Sequence, residues 1–221
     1  MIQAKINYNE IFKKEINDIS KLKTKPTLFL HACCGPCLTY PLSILIKYFN
    51  VTIGFFNPNI YPEEEYFKRF NELKRFVKEY TNNEVKIILN EYNYQTYLDQ
   101  IKGYEKEKEG GKRCEICHRL RLELSYKYAY DHHFDYFTSV MTVSCKKPSS
   151  LLNEIGISLE KKYLPTKYLQ ADFKKENGQL KGIQIAKEYN LYRQNYCGCS
   201  FSLEARKEFE KLKMQILNKN S

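Results

Sequence analysis

The sequence predicts an α/β fold, a mostly parallel sheet with helices on both faces and a helical insertion. Three observations carry this reading. An apolar run, Thr27-Leu28-Phe29-Leu30, empties into His31-Ala32-Cys33-Cys34-Gly35-Pro36-Cys37, where Gly35 and Pro36 force a turn. A helical pattern over residues 40–48 separates that run from a second one, Val51-Thr52-Ile53-Gly54-Phe55-Phe56, so the two strands form a parallel βαβ unit. Apolar runs at 85–89 and 134–143 continue the alternation.

In chain order, Ile11, Phe12, Ile16, Ile19 and Leu22 stand near helical spacing, an amphipathic helix over 8–23 that leads into the first strand. After the loop at 57–62, Pro62 with Glu63, Glu64 and Glu65 opens a helix, because proline suits the first helical position and carboxylates complement its positive end. These glutamates therefore need no catalytic role. Tyr66, Phe70, Leu73, Val77 and Tyr80 recur at helical spacing as a core stripe. Val85-Lys86-Ile87-Ile88-Leu89 is a third strand, and the helical insertion follows it. Glu105 to Lys112, with alternating charges and Gly110-Gly111, reads as a mobile loop. Arg113-Cys114 then opens a helix through Cys117, Leu120, Leu124 and Tyr128. A fourth strand is expected over 134–143, ending near Ser144, Cys145 and Pro148. Residues 163–177 read as polar loop or short helix and 183–189 as helix. Cys197-Gly198-Cys199 precedes a last helix containing Phe209, Leu212 and Ile216. No repeat or linker interrupts the chain, so a single domain over 1–221 is expected.

A chain of 221 residues with 43% hydrophobic content can bury a sizeable core, which excludes a disordered or fibrous protein. Lys plus Arg, 36, against Asp plus Glu, 26, gives +10, a balance that suits an anionic partner such as nucleic acid. Lysine pairs such as Lys13-Lys14, Lys161-Lys162 and Lys174-Lys175 read more simply as solvated faces. The arginines are more telling, because Arg113, Arg119, Arg121 and Arg193 lie close to a cysteine pair and guanidinium is the better phosphate fork. No segment approaches the roughly 18 apolar residues of a membrane span, so a cytoplasmic protein without a membrane partner is expected.

In a reducing compartment eight cysteines do not read as a disulfide framework; two close pairs and a triple favour a metal or redox site. Ligand sites in open α/β sheets form at strand carboxyl ends, where the 33–37 turn stands. Cys114 and Cys117 share one face of a helix start, where the macrodipole and Arg113 are expected to lower the thiol pKa. Such a pair serves equally as half a zinc site, half a cluster site or a thioredoxin-like couple. Adjacent Cys33-Cys34 favour a 4Fe-4S cubane, since its iron corners lie close together while structural zinc wants spaced pairs. Cys197-Gly198-Cys199 closes only a small, strained ring as a disulfide, readily reduced and so suited to an electron relay, or else completes the metal site. Cys145 has no partner in sequence and reads as a packed thiol. His118 reads as a surface or cap-region side chain, and His132-His133 meets the negative end of its helix. No glycine-rich phosphate loop follows the first strand, nor a serine-glycine-glycine ATP loop of the tRNA-thiolating kind, so nucleotide use is not expected.

Three segments in this order, His31-Ala32-Cys33-Cys34-Gly35-Pro36-Cys37, Arg113-Cys114-Glu115-Ile116-Cys117-His118-Arg119-Leu120-Arg121-Leu122 and Leu191-Tyr192-Arg193-Gln194-Asn195-Tyr196-Cys197-Gly198-Cys199, resemble the cobalamin-independent epoxyqueuosine reductases. The resemblance covers residues 26–204, the expected catalytic core, and leaves 1–25 as an N-terminal helical addition and 205–221 as a C-terminal helix. It implies a nucleotide-hydrolase-like (Rossmann-like) sheet and an oxidoreductase of queuosine biosynthesis. The implied reaction removes the epoxide oxygen of epoxyqueuosine in the tRNA anticodon. The resemblance further implies a 4Fe-4S cluster on Cys33, Cys34, Cys114 and Cys117, a redox-active disulfide between Cys197 and Cys199, and an additional mononuclear iron beside the cluster. Cys37, where some relatives carry aspartate, stands among the metal candidates. Ser144, Cys145, Lys146 and Lys147 match nothing in the family pattern.

Turning an epoxide into an alkene consumes two electrons and two protons and expels water, which side chains alone cannot supply. An electron donor, unidentified by the sequence, is therefore a required partner beside the tRNA. The rivals are a zinc-stabilised RNA-binding module without catalysis and a thiol-disulfide oxidoreductase working through the CxxC pair alone.

Overall fold

Leu28, Phe29 and Leu30 have no exposed surface, as a strand covered on both faces requires. The computed structural model describes residues 6–219, and expectations on 1–5, 220 and 221 lie outside the described residues. Five strands, β1 (Thr27–His31), β2 (Asn50–Phe55), β3 (Lys86–Leu89), β4 (Tyr136–Ser139) and β5 (Lys167–Tyr168), pair in the order β3-β2-β1-β4-β5. Every pairing is parallel. Around them lie α1 (Tyr8–Ile19), α2 (Gly35–Leu45), α3 (Glu63–Thr81), α4 (Tyr94–Gln100), α5 (Lys112–Asp131), α6 (Ser149–Glu160), α7 (Gly178–Glu188) and α8 (Ser200–Lys219). None of the described helices is long and apolar enough to cross a membrane.

Alternate side chains of β1 serve different cores, as the two-residue period of a strand dictates. Leu28 and Leu30 join Leu38 and Leu42 of α2 and Leu73, Phe76 and Val77 of α3. Phe29 joins Leu122 and Tyr126 of α5 and Leu152, Ile155 and Leu159 of α6. The expected α/β sheet with helices on both faces is therefore present. Phe12 and Ile19 of α1 pack into the first core, Phe12 edge-on to Phe173 at 5.5 Å.

Several boundaries differ from the sequence reading, each for a local reason. The helix expected from residue 40 begins at Gly35, with Pro36 in its first turn and the Cys34 sulfur accepting from the Cys37 amide at 3.3 Å as its cap. The expected fourth strand stops at Ser139, whose hydroxyl accepts from Met141 N at 3.2 Å and turns 140–143 into a single 3-10 turn. α6 and β5 are not in the sequence reading, and α7 starts five residues before the expected helix at 183. The segment expected to be a mobile loop is a series of hydrogen-bonded turns, tied down where Arg113 Nη1 donates to the Glu105 carbonyl at 2.6 Å.

Strand order reverses between β1 and β4, the place where an open α/β sheet leaves a cleft beyond its carboxyl ends. The 33–37 turn leaves β1 at that point, and the 3-10 turn leaves β4 beside it.

Candidate metal centre

The sulfurs of Cys33, Cys34 and Cys37 all lie within 4.8 Å of one another, which no other set of potential ligands among the described residues matches by that geometry. Extended backbone at Cys34, followed by the first turn of α2, brings them together: position 34 caps the helix and position 37 lies one turn along it. Cys34 and Cys37 are joined as a disulfide, a pairing absent from the sequence reading, which gives Cys34 to the cluster and Cys37 to a second metal. Cys33 is a free, buried thiol.

Cys114 and Cys117 occupy the first turns of α5, and Gly110 N donates to the Cys114 sulfur at 3.3 Å. The expected lowering of their pKa is overturned, because burial outweighs the Gly110 amide and Arg113 at Cys114 and Arg121 at Cys117. Burial pushes the Cys117 thiol up to about 12 and raises that of Cys114 as well. Neutral thiols are the stable form until a cation arrives to take the proton's place.

Cys197 and Cys199 are free thiols here, Cys199 buried and Cys197 half-buried. Gly198 between them has φ of +146°, a conformation that L side chains rarely adopt. Its carbonyl accepts from Tyr61 N at 2.8 Å and its amide donates to Ser202 Oγ at 3.2 Å. Arg69, almost wholly enclosed, donates to the carbonyls of Cys197 and Tyr196 at 3.0 and 3.4 Å. Cys197 and Cys199 both lie close enough to Cys114 and Cys117 to raise the pKa of those thiols.

These groups surround a cavity of about 760 Å³ onto which Cys33, Cys37, Cys114, Cys145 and Cys197 open. Cys145 is exposed, which corrects the packed-thiol expectation: the chain after the 3-10 turn runs along the cavity rim instead of into the core. His118 is also corrected. It is 6% exposed and borders the cavity, since α5 is covered by the sheet on one side and by α6 on another. Burial, with Arg121 and Lys147 nearby, pushes its pKa down to about 3, and its Nδ1 has no hydrogen-bond partner. Gln194 Oε1, across the cavity wall, is likewise unpartnered.

Of the four arginines singled out as phosphate contacts, Arg113 and Arg121 are buried, while Arg119 and Arg193 are exposed. Arg121 Nη2 donates to Asn57 Oδ1 at 2.8 Å, and the same oxygen lies 3.2 Å from His31 Nε2. His31 Nδ1 in turn meets Ser139 Oγ at 2.8 Å, so a chain of buried polar groups links β1, β4 and α5 beneath the thiols. The sequence reading missed Asn57, Arg69 and its partner Glu65; the four-residue spacing of Glu65 and Arg69 on α3 was a readable sign of the ion pair, 2.7 Å long.

The family profile described as epoxyqueuosine reductase QueH matches residues 28–205, which takes in all eight cysteines. Among curated proteins, the epoxyqueuosine reductase QueH of Staphylococcus epidermidis is 40% identical over 207 residues, covering 91% of this chain and 87% of the relative. That of Streptococcus pyogenes serotype M1 is 39% identical over 201 residues, covering 90% and 78%. That of Thermotoga maritima is 32% identical over 185 residues, covering 82% and 93%. A match of this extent, on a parallel sheet whose switch point gathers the cysteines the motifs had marked, shows that the chain belongs to the epoxyqueuosine reductase QueH family.

Proposed function

We propose that this chain reduces epoxyqueuosine to queuosine at the tRNA wobble position, using a 4Fe-4S cluster held by Cys33, Cys34, Cys114 and Cys117. The observation that carries the reading is the convergence of Cys33, Cys37, Cys114, Cys145 and Cys197 on one cavity at the sheet's switch point, with Cys34 beside Cys33 and Cys37. The donor set fits the group, because thiolates from a turn and a helix start are the ligands such clusters take. Cys34 becomes available on reduction of its bond to Cys37, which takes two electrons and two protons and frees both thiols. Cys37 is then the candidate ligand of the additional iron.

When bound, the iron centre supplies one-electron chemistry and Lewis acidity toward the epoxide oxygen. The protein's own residues do the rest. The cavity admits an unstacked nucleotide, as a modification enzyme acting on an anticodon base requires. Exposed Arg193 and half-buried Lys147 at its rim face the neighbouring phosphates. His118 and Gln194 offer unpartnered polar atoms to the substrate's hydroxyls and amine. Cys197 and Cys199 cycle between dithiol and disulfide, giving up two electrons and two protons per turnover and regaining them from an external donor.

Anaerobic reconstitution followed by iron and sulfide analysis tests the reading. Cys33→Ala, Cys34→Ala, Cys114→Ala and Cys117→Ala should each lose most of the cluster absorbance, and Cys145→Ala should retain it. Full iron and sulfide in the first four variants would refute the ligand assignment. A colourless, zinc-loaded parent would favour the RNA-binding module instead.

A further inference from the structure

Among the described residues Arg69 and Arg121 are fully enclosed, and they are treated differently. Arg69 has a carboxylate, Glu65, at 2.7 Å. Arg121 has none among the described residues: its Nε and Nη2 donate to the neutral Oδ1 of Asn57 at 3.2 and 2.8 Å. An enclosed guanidinium without a counter-charge is unfavourable unless something anionic shares its surroundings. What faces it is sulfur. Cys117 lies one helical turn before it on α5, and Cys33 from the turn after β1 and Cys197 from the segment before α8 line the same cavity wall as Arg121.

We propose that Arg121 is the built-in counter-charge of the thiolate-bound iron centre, a positioning residue that fixes the Cys33 sulfur and makes the centre easier to reduce. The proposal rests on the reading of these thiols as cluster ligands. A 4Fe-4S core with four thiolates is anionic, and its potential follows its net charge and the hydrogen bonds its sulfurs receive. Each added electron increases the negative charge, so a fixed cation at the sulfurs favours the reduced form. The same cation is unneutralised when the centre is missing. Arg121 should therefore destabilise the metal-free chain while helping to retain the metal, two effects of opposite sign that a purely structural hydrogen bond to Asn57 would not produce.

The test compares Arg121→Gln, which keeps a donor for Asn57 but removes the charge, with Arg121→Lys, which keeps the charge. Each full-length chain is reconstituted anaerobically, its midpoint potential is measured by spectroelectrochemistry, and its iron retention is followed against a chelator. The metal-free forms are melted in parallel. For Arg121→Gln the expected results are a more negative midpoint, roughly tenfold weaker iron retention, and a metal-free melting temperature at or above that of the parent. Arg121→Lys should keep a midpoint near the parent's. An unchanged midpoint in Arg121→Gln, or equal loss of stability with and without metal, would overturn the proposal. Should the parent itself take up no iron and sulfide, the cluster reading fails first and the proposal falls with it, a result visible before any Arg121 variant is made.

Discussion

Arg69 on α3 and Cys197 in the segment before α8 are joined by a 3.0 Å hydrogen bond from Nη1 to the backbone carbonyl, while Arg69 Nε holds Glu65 at 2.7 Å. The segment of Cys197 and Cys199 is thus held by a buried ion pair, and the Tyr192 hydroxyl donates to the same carboxylate at 3.1 Å. Arg69→Met would leave Glu65 uncompensated and two carbonyls unpaired. It should destabilise the chain by about 3–5 kcal/mol in urea denaturation. Arg69→Met combined with Glu65→Leu should cost less than Arg69→Met alone, because no charge is then left unpaired.

Gly198→Ala should be harmful out of proportion to its size. A Cβ there would stand 3.1 Å from Asn59 Nδ2 and 3.3 Å from Arg69 Nη1, on a backbone with φ of +146°. The expected loss is about 1–3 kcal/mol of stability, with slower reoxidation and rereduction of the Cys197–Cys199 couple by thiol trapping. Unchanged stability would mean that the loop relaxes away from the observed conformation.

Acid should loosen the same segment from its other end. Tyr192 N donates to Glu72 Oε1 at 2.6 Å, and Arg75 holds that carboxylate at 2.8 Å. Hydrogen bonding from Arg75, with burial opposing it and the Tyr192 amide adding to it, keeps the Glu72 pKa below the ordinary carboxylate value of 4.5. A depressed carboxylate pKa contributes stability that is complete above the unfolded value and is lost as pH falls through the folded one. Urea midpoints of the parent should therefore drop below pH 4.5 more steeply than those of Glu72→Gln, which should be about 1.5–3 kcal/mol less stable at pH 7. Parallel pH profiles would contradict this.

Affinity for the tRNA should depend on the exposed arginines and not on the buried ones. Arg119→Gln and Arg193→Gln should each weaken binding and reduce the salt slope by about 1 or slightly less. Arg113→Gln should leave the slope unchanged, since that guanidinium is spent on the Glu105 carbonyl and the Phe201 ring. Filter binding across a salt series separates the cases.

What the sequence made legible follows from periodicity. Leu28 to Leu30 and the stripe Tyr66, Leu73 and Val77 are continuous or regular enough to announce a buried strand and a helix face, and both are buried as expected. β5 is two residues long and owes its strand character to pairing with β4, so no pattern within it could reveal it. α6 carries Leu152, Ile155 and Leu159 at helical spacing, a sign present in the sequence although the sequence reading assigns no element there. The site divides in the same way. Cysteine spacing marks the thiols directly, whereas the burial of Arg121 and His118 depends on how α5 is covered by the sheet and α6, which is a tertiary fact. The sulfur cap of α2 escaped because Cys34 is not among the usual capping residues.

The most direct measurement is nucleoside analysis of epoxyqueuosine-containing tRNA after incubation with prereduced, iron-sulfur-loaded enzyme, counted as queuosine formed per cluster. The parent should convert the tRNA repeatedly when a reductant is supplied. Cys197→Ser/Cys199→Ser should keep its cluster and stop near one turnover, and Cys117→Ala should form none. Conversion by a chain stripped of iron, or undiminished steady turnover in the Cys197→Ser/Cys199→Ser enzyme, would contradict the account.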